Sequence, residues 1–198
     1  MIPCVGLIGN IASGKSTVAK LFAQHGIETL SADDVAKKLT AKHQPALDAI
    51  IKHFGVDIIT EDGELDRKAL RGLMTHDVNA RLWLEQYLHP LIRTSIEEAL
   101  LKVQSPYALI EIPLLKDKKD YPYIQRILLI TAHHEQKIQR LTLRDNTSLN
   151  DAKALLSIQM DDEVRRQIAD DVCVNNGSLK ALEEKVAHLH QNYLTCFA

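Results

Sequence analysis

Gly9-Asn10-Ile11-Ala12-Ser13-Gly14-Lys15-Ser16 satisfies the pattern G-x-x-x-x-G-K-[ST], and no other feature of this chain restricts its fold as much. The pattern needs a particular setting, with a strand delivering the chain to the loop and a helix carrying it away. Both signals are present. Cys4 to Gly9 is a short apolar run, and Lys15 to His25 places Val18, Leu21 and Phe22 at helical spacing before Gly26. Such a loop turns backbone N–H groups onto phosphate oxygens at a helix N-terminus, where the peptide dipoles add partial positive charge. Lys15 is placed to reach the β- and γ-phosphates of a nucleotide, Ser16 to offer a hydroxyl to Mg²⁺, and Thr17 to cap the helix or touch the α-phosphate. Gly9 to Thr17 is therefore read as an ATP-binding loop.

The remainder of the chain has the alternation of an α/β protein. Ile27–Leu30, Tyr107–Ile112, Ile124–Thr131 and, more weakly, Asp171–Val174 read as strands, the middle two apolar on both faces as in a parallel sheet covered by helices. Between the second and third strands the connection is long and helical, with a turn at Asp62-Gly63 and prolines at 45 and 90; Pro90 is expected to kink or break its helix. This divides the chain into a nucleotide-binding core, residues 1–32 and 105–198, and an inserted helical lobe, residues 33–104. Helices are expected at His133–Arg144, Ser148–Ile168 and Leu179–Tyr193, and residues from about 133 to 168 form a candidate lid.

Composition removes several classes of function. The 198 residues carry a formal net charge of −2, which provides no general attraction to nucleic acid or to an anionic membrane. No apolar stretch is long enough to span a bilayer, and the first residues lack the basic start of a secretory signal. Three cysteines without a Cys-x-x-Cys pair fit a reducing cytoplasm. The nine histidines have no spacing suited to a shared metal and read as surface residues. Oligomeric state is left open.

A GTPase requires D-x-x-G and N-K-x-D, and neither occurs; a transporter-type ATPase would carry a glycine-rich signature, and there is no Gly-Gly pair. Small-molecule kinases have an acceptor-binding insert after the second strand and a basic lid later, the order found here. Lys137, Arg140 and Arg144 fall at i, i+3 and i+7 and so share a helix face, with Arg165 and Arg166 downstream. A solvated basic face has the same pattern. As a lid residue Arg140 is the first choice to stabilise charge on a transferring phosphoryl group. Asp33 follows the second strand at the carboxyl edge of the sheet, which suits either a general base or the cap of the next helix. Glu111 ends its strand and suits either a water-mediated Mg²⁺ contact or a plain strand terminus.

The ordered set Ser13-Gly14-Lys15-Ser16-Thr17, Ser31-Ala32-Asp33, Asp62 to Arg67, His89-Pro90-Leu91-Ile92, Pro113-Leu114-Leu115, Gln139-Arg140, Ala169-Asp170 and Asn175-Asn176-Gly177 resembles the dephospho-CoA kinase family over nearly the whole chain. The resemblance implies ATP-dependent phosphorylation of the ribose 3′-hydroxyl of dephospho-CoA, in the last step of coenzyme A synthesis. It implies that Asp33 is the catalytic base, that the insert binds the CoA moiety, that Arg140 and Asn175 line the ATP site, and that His89 contacts the acceptor. A kinase of another small alcohol or of a nucleoside monophosphate is the alternative. This chain departs from the family pattern at Ser31, Ala12, Lys37 and Lys116-Asp117. Ala12 restricts the loop backbone and Lys37 gives up the bidentate fork of an arginine, which bears on acceptor affinity.

Overall fold

The computed structural model describes residues 2–112, 115 and 118–198, so Pro113, Leu114, Lys116 and Asp117 of the sequence motifs lie outside the described residues. Five parallel strands form one sheet in the order β2-β3-β1-β4-β5: β1 Cys4–Ile8, β2 Glu28–Ser31, β3 Ala108–Glu111, β4 Arg126–Thr131 and β5 Asp171–Val174. β1 is buried along its whole length, and β2 and β5, on the edges, are partly exposed. This follows from the residues: both-sided apolar runs fill the centre, and Glu28 and Asp171 begin the edges.

β1 lies between β3 and β4, so the chain leaves the sheet in opposite directions on its two sides. A crevice opens at the carboxyl end of β1 for that topological reason. α1 Lys15–Gln24 begins there, and its Val18, Leu21 and Phe22 pack with Leu182, Val186 and Tyr193 of α9 Leu179–Cys196 in the main core. Phe22 stacks on Tyr193 at 6.1 Å, and Tyr107 meets it edge-on at 6.4 Å.

The described chain divides into two compact units. One ends at Ser31 and resumes at Leu100; the other is Ala32–Ala99. The second unit holds α2 Ala32–Leu39, α3 Pro45–Phe54, α4 Arg67–His76 and most of α5 Val78–Leu100, around its own core of Leu47, Ile50, Ile58, Leu65, Leu70 and Leu84. The Asp62 to Arg67 motif is architectural here. Gly63 turns with φ 75°, Asp66 caps α4 by accepting from the N–H groups of Lys68 and Ala69, and Arg67 Nη2 donates to Thr40 Oγ1 at 3.1 Å. Pro90 does not break its helix: α5 runs through it for 23 residues, long enough for the turns on either side to hold the helix where one donor is missing.

α6 His134–Asp145 follows β4 and ends on Asn146 in the left-handed conformation. The helix expected over 148–168 is two: α7 Leu149–Ser157 and α8 Asp162–Arg166, the second capped by Asp161 accepting from Glu163 N–H. His190 corrects the expectation of surface histidines. It is buried on α9, shares a 2.8 Å hydrogen bond between its Nδ1 and Tyr107 Oη, and stacks on His25 at 4.9 Å. Burial, helped by the positive charge His25 can carry, holds its pKa below the ordinary 6.5. No described helix is long and apolar enough to cross a membrane.

Candidate active site

The loop between β1 and α1 is shaped by glycines at two positions that reject a side chain. Gly9 has φ 151° and a Cβ there would strike the carbonyl oxygen of Ile130; Gly14 has φ 104° and a Cβ there would strike Asn175 Nδ2. Ala12 between them also has a positive φ, 59°, where an L side chain costs about 1–2 kcal/mol. Gly14 occupies the cap position of α1 and no side chain caps that helix. α3 and α6 also lack a side-chain cap, whereas α4, α7, α8 and α9 are each capped by an Asp or Ser side chain. The first N–H groups of α1 therefore lack the usual side-chain acceptor, and no acid occupies its first turn.

A cleft of about 650 Å³ opens over this helix end, lined by Ile11, Ala12, Gly14, Lys15, Ser16 and Thr17 of the loop, by Glu111 at the end of β3, and by Arg140, Leu143 and Arg144 of α6. Ser16 and Thr17 are exposed to it. Lys15 Nζ donates to the carbonyl oxygens of Gly9 at 2.9 Å and Asn10 at 3.3 Å, so the ammonium lies over the loop's own acceptors. Phosphate oxygens would compete with those carbonyls for it.

Arg140 grips the loop. Its Nη1 donates to the carbonyl oxygens of Ala12 and Ser13, both at 3.2 Å, and its Nη2 to that of Asn175 at 2.8 Å. Asn175, buried, donates from Nδ2 to the same Ser13 carbonyl at 2.9 Å, and borders a second, smaller cleft with Gly14, Thr17 and Arg140. Gly9, Asn10 and Ser13, the other loop residues expected at the nucleotide, have buried side chains or none, leaving main-chain groups as their means of contact.

The basic stripe on α6 has three separate fates. Arg140 holds the loop, Arg144 pairs through two hydrogen bonds with Asp145 at the cleft rim, and Lys137 is buried in an ion pair with Asp162 at 2.9 Å. Arg165 is buried too, and Arg166 pairs with Glu163. The shared helix face was readable from spacing; the partners that divide it were not. Two further motifs are framework contacts. Asp170 Oδ2 accepts from Ile127 N–H, joining β5 to β4, and Asn176 Oδ1 accepts from His133 N–H at the start of α6.

In the second unit, Asp33 is the second residue of α2, inside the first turn and not at the cap position, and it is exposed. Lys37 pairs with Asp34 at 2.9 Å on the exposed face of α2, a contact worth little to stability. His89 lies exposed on α5, with its carbonyl accepting from Arg93 Nε.

Comparison with known proteins gives this geometry its context. Residues 3–181 match a family model described as dephospho-CoA kinase. A dephospho-CoA kinase of Legionella pneumophila (strain Paris) is 49% identical over 194 residues, covering 98% of this chain and 96% of the relative. Among solved structures, a Thermus thermophilus protein superposes with a TM-score of 0.83 at 31% identity, over 96% of this chain and 97% of its own. A dephospho-CoA kinase from Campylobacter jejuni follows at 0.73 and 26%, with both chains fully covered.

Proposed function

Because this chain belongs to the dephospho-CoA kinase family, we propose that it transfers the γ-phosphoryl group of ATP to the ribose 3′-hydroxyl of dephospho-CoA, giving CoA and ADP, the last step of coenzyme A biosynthesis. The observation that carries this reading is the glycine-shaped loop on an uncapped helix N-terminus, within a family match spanning nearly the whole chain.

In this reading the main-chain N–H groups from Gly9 to Thr17 receive the phosphates, and Lys15 exchanges its two carbonyl contacts for β- and γ-phosphate oxygens. Arg140 stabilises charge on the transferring group and Asn175 borders the ATP site. The acceptor's O3′–phosphorus bond forms as the bond from the γ-phosphorus to the β–γ bridging oxygen breaks, and Asp33 takes the proton of the attacking hydroxyl. Because the transition state is loose, positioning contributes more than base strength. The inserted lobe, residues 33–104, binds the CoA moiety with His89 as one contact, and residues of about 133–168 act as the lid.

An ATP-using kinase of this family implies a divalent metal, and Mg²⁺ is the ion assigned here. The donor set fits a hard cation, since the Ser16 hydroxyl and the Glu111 carboxylate line one cleft. Bound with ATP, the ion would neutralise charge on the terminal phosphates. Three free thiols, two of them buried, suit a reducing cytoplasm.

The test is ADP release with a panel of acceptors: dephospho-CoA, nucleoside monophosphates and small alcohols, with Lys15→Ala as control. Release that depends on dephospho-CoA and drops by about 100-fold or more in Lys15→Ala is expected. Equal release without any acceptor would reject the assignment.

A further inference from the structure

The Asn10, Thr131, Lys137 and Asp162 side chains form a polar cluster that lines a cleft other than the one over α1, and none of these side chains has been given a role of its own above. We propose that Asp162 is a positioning residue for phosphoryl transfer: its carboxylate ties the phosphate loop, through the Asn10 side chain, to the helix that carries Arg140.

Asp162 Oδ1 accepts from Asn10 Nδ2 at 2.8 Å, and Oδ2 accepts from Thr131 Oγ1 at 2.6 Å and from Lys137 Nζ at 2.9 Å. One carboxylate thus joins the loop, the end of β4 and α6. The Asn10 amide is fully committed on that side: Nδ2 also donates to the Met160 carbonyl at 3.0 Å, and Oδ1 accepts from Arg165 Nε at 3.1 Å. Asn10, Thr131, Lys137 and Arg165 are all buried, and the Lys137 and Asp162 side chains are 8% and 17% exposed, so solvent screens these contacts little.

Both anchored parts lead to the chemistry. The main-chain carbonyl of Asn10 accepts from the Lys15 ammonium. Lys137 lies one helical turn before Arg140, whose guanidinium reaches the carbonyls of Ala12 and Ser13. A shift at Asp162 therefore reaches the loop from two directions. Buried ion pairs are poor contributors to net stability, because desolvation offsets their attraction. Holding two catalytic elements in register is a use that does not depend on such a gain.

Asp162→Asn is the informative change because it alters chemistry without volume. The new amide must point either its oxygen or its NH₂ at Asn10 Nδ2. With the oxygen there, the NH₂ faces the Lys137 ammonium, which can only donate, and the Thr131 hydroxyl has to turn round to accept; with the NH₂ there, two amide donors collide. Asn10 cannot rotate to relieve this without losing Met160 and Arg165.

The inference rests on the loop being the ATP site of a dephospho-CoA kinase, and the experiment separates the two. ATP affinity is measured directly with a fluorescent ATP analogue, and kcat and KM for each substrate by ADP release, in wild type, Asp162→Asn, Asn10→Ala and the double variant, each corrected for its folded fraction. The expected result is a fall of about 10- to 100-fold in kcat/KM for ATP in Asp162→Asn, with KM for dephospho-CoA within about twofold of wild type. Since the two residues share the contact between Asn10 Nδ2 and Asp162 Oδ1, the double variant falls by less than the product of the two single losses. Asp162→Asn with wild-type kcat/KM for ATP, or losses that multiply in the double variant, overturns the inference. So does a loss that disappears on correction for folded protein. A wild type without dephospho-CoA turnover sinks the proposed function instead, and ATP binding then decides: weaker binding in Asp162→Asn supports the positioning role, and unchanged binding overturns it.

Discussion

Gly14→Ala and Gly26→Ala flank the same helix and separate backbone strain from collision at the site. Both glycines have positive φ, 104° and 78°, and so both alanines incur about 1–2 kcal/mol of conformational cost. A Cβ at position 26 meets no atom within 4 Å, whereas at position 14 it overlaps Asn175 Nδ2 and drives that amide off the Ser13 carbonyl. Losing that buried hydrogen bond adds about 1 kcal/mol. For Gly14→Ala the sum of about 2–3 kcal/mol falls on the loop conformation proposed to receive phosphate. It predicts ATP binding weaker by about 30- to 150-fold, at roughly 1.4 kcal/mol per tenfold. Gly26→Ala should lower global stability by about 1–2 kcal/mol and leave ATP affinity within about twofold. Titration calorimetry with ATP and urea denaturation of both variants provide the test. If Gly14→Ala binds ATP as tightly as Gly26→Ala does, the loop is not held for phosphate in the way described.

Three other outcomes are expected. Asp33→Asn should reduce turnover by about 100-fold with ATP binding within about threefold, read by ADP release and calorimetry; equal turnover removes Asp33 from the proton transfer. His190 is held neutral by burial and by the nearby His25, so its folded pKa lies below 6.5. The unfolded chain then binds a proton first as pH falls through 6.5, and stability declines from there down to the folded pKa; urea midpoints in His190→Gln should show a shallower acid dependence, and an identical slope contradicts the assignment. Cys4, its thiol pushed up to about 11 by burial, and Cys173, raised for the same reason, should resist iodoacetamide at pH 8 while exposed Cys196 reacts, as peptide mass spectrometry would show.

The local parts of this architecture could be read from the chain because their determinants are local. A glycine pattern between an apolar strand and an amphipathic helix has one stable geometry, and the both-sided apolar runs of β3 and β4 require a covered parallel sheet. Ends were less legible. Ile124 is apolar enough for a strand, yet its N–H bonds the Tyr121 carbonyl in a turn, and β4 starts only at Arg126. The interruption before α8 is marked only by Asp161 as a cap, inside a run of acids that disguises it. His190 was legible in principle, four residues beyond Val186 and three before Tyr193 on the buried stripe of α9. Asp162 was not, because its three partners lie 152, 31 and 25 residues away and only the folded chain brings them together.

In the proposed reaction the loop from Gly9 to Thr17 delivers the γ-phosphoryl group of ATP to one hydroxyl of dephospho-CoA. Mass spectrometry of the product, after incubation with ATP, Mg²⁺ and dephospho-CoA, tests it directly. The expected product is CoA, formed by phosphorylation of dephospho-CoA at its ribose 3′-oxygen, in amount equal to the ADP formed and absent with Lys15→Ala. ADP accompanied by free phosphate, with dephospho-CoA recovered unchanged, would contradict it.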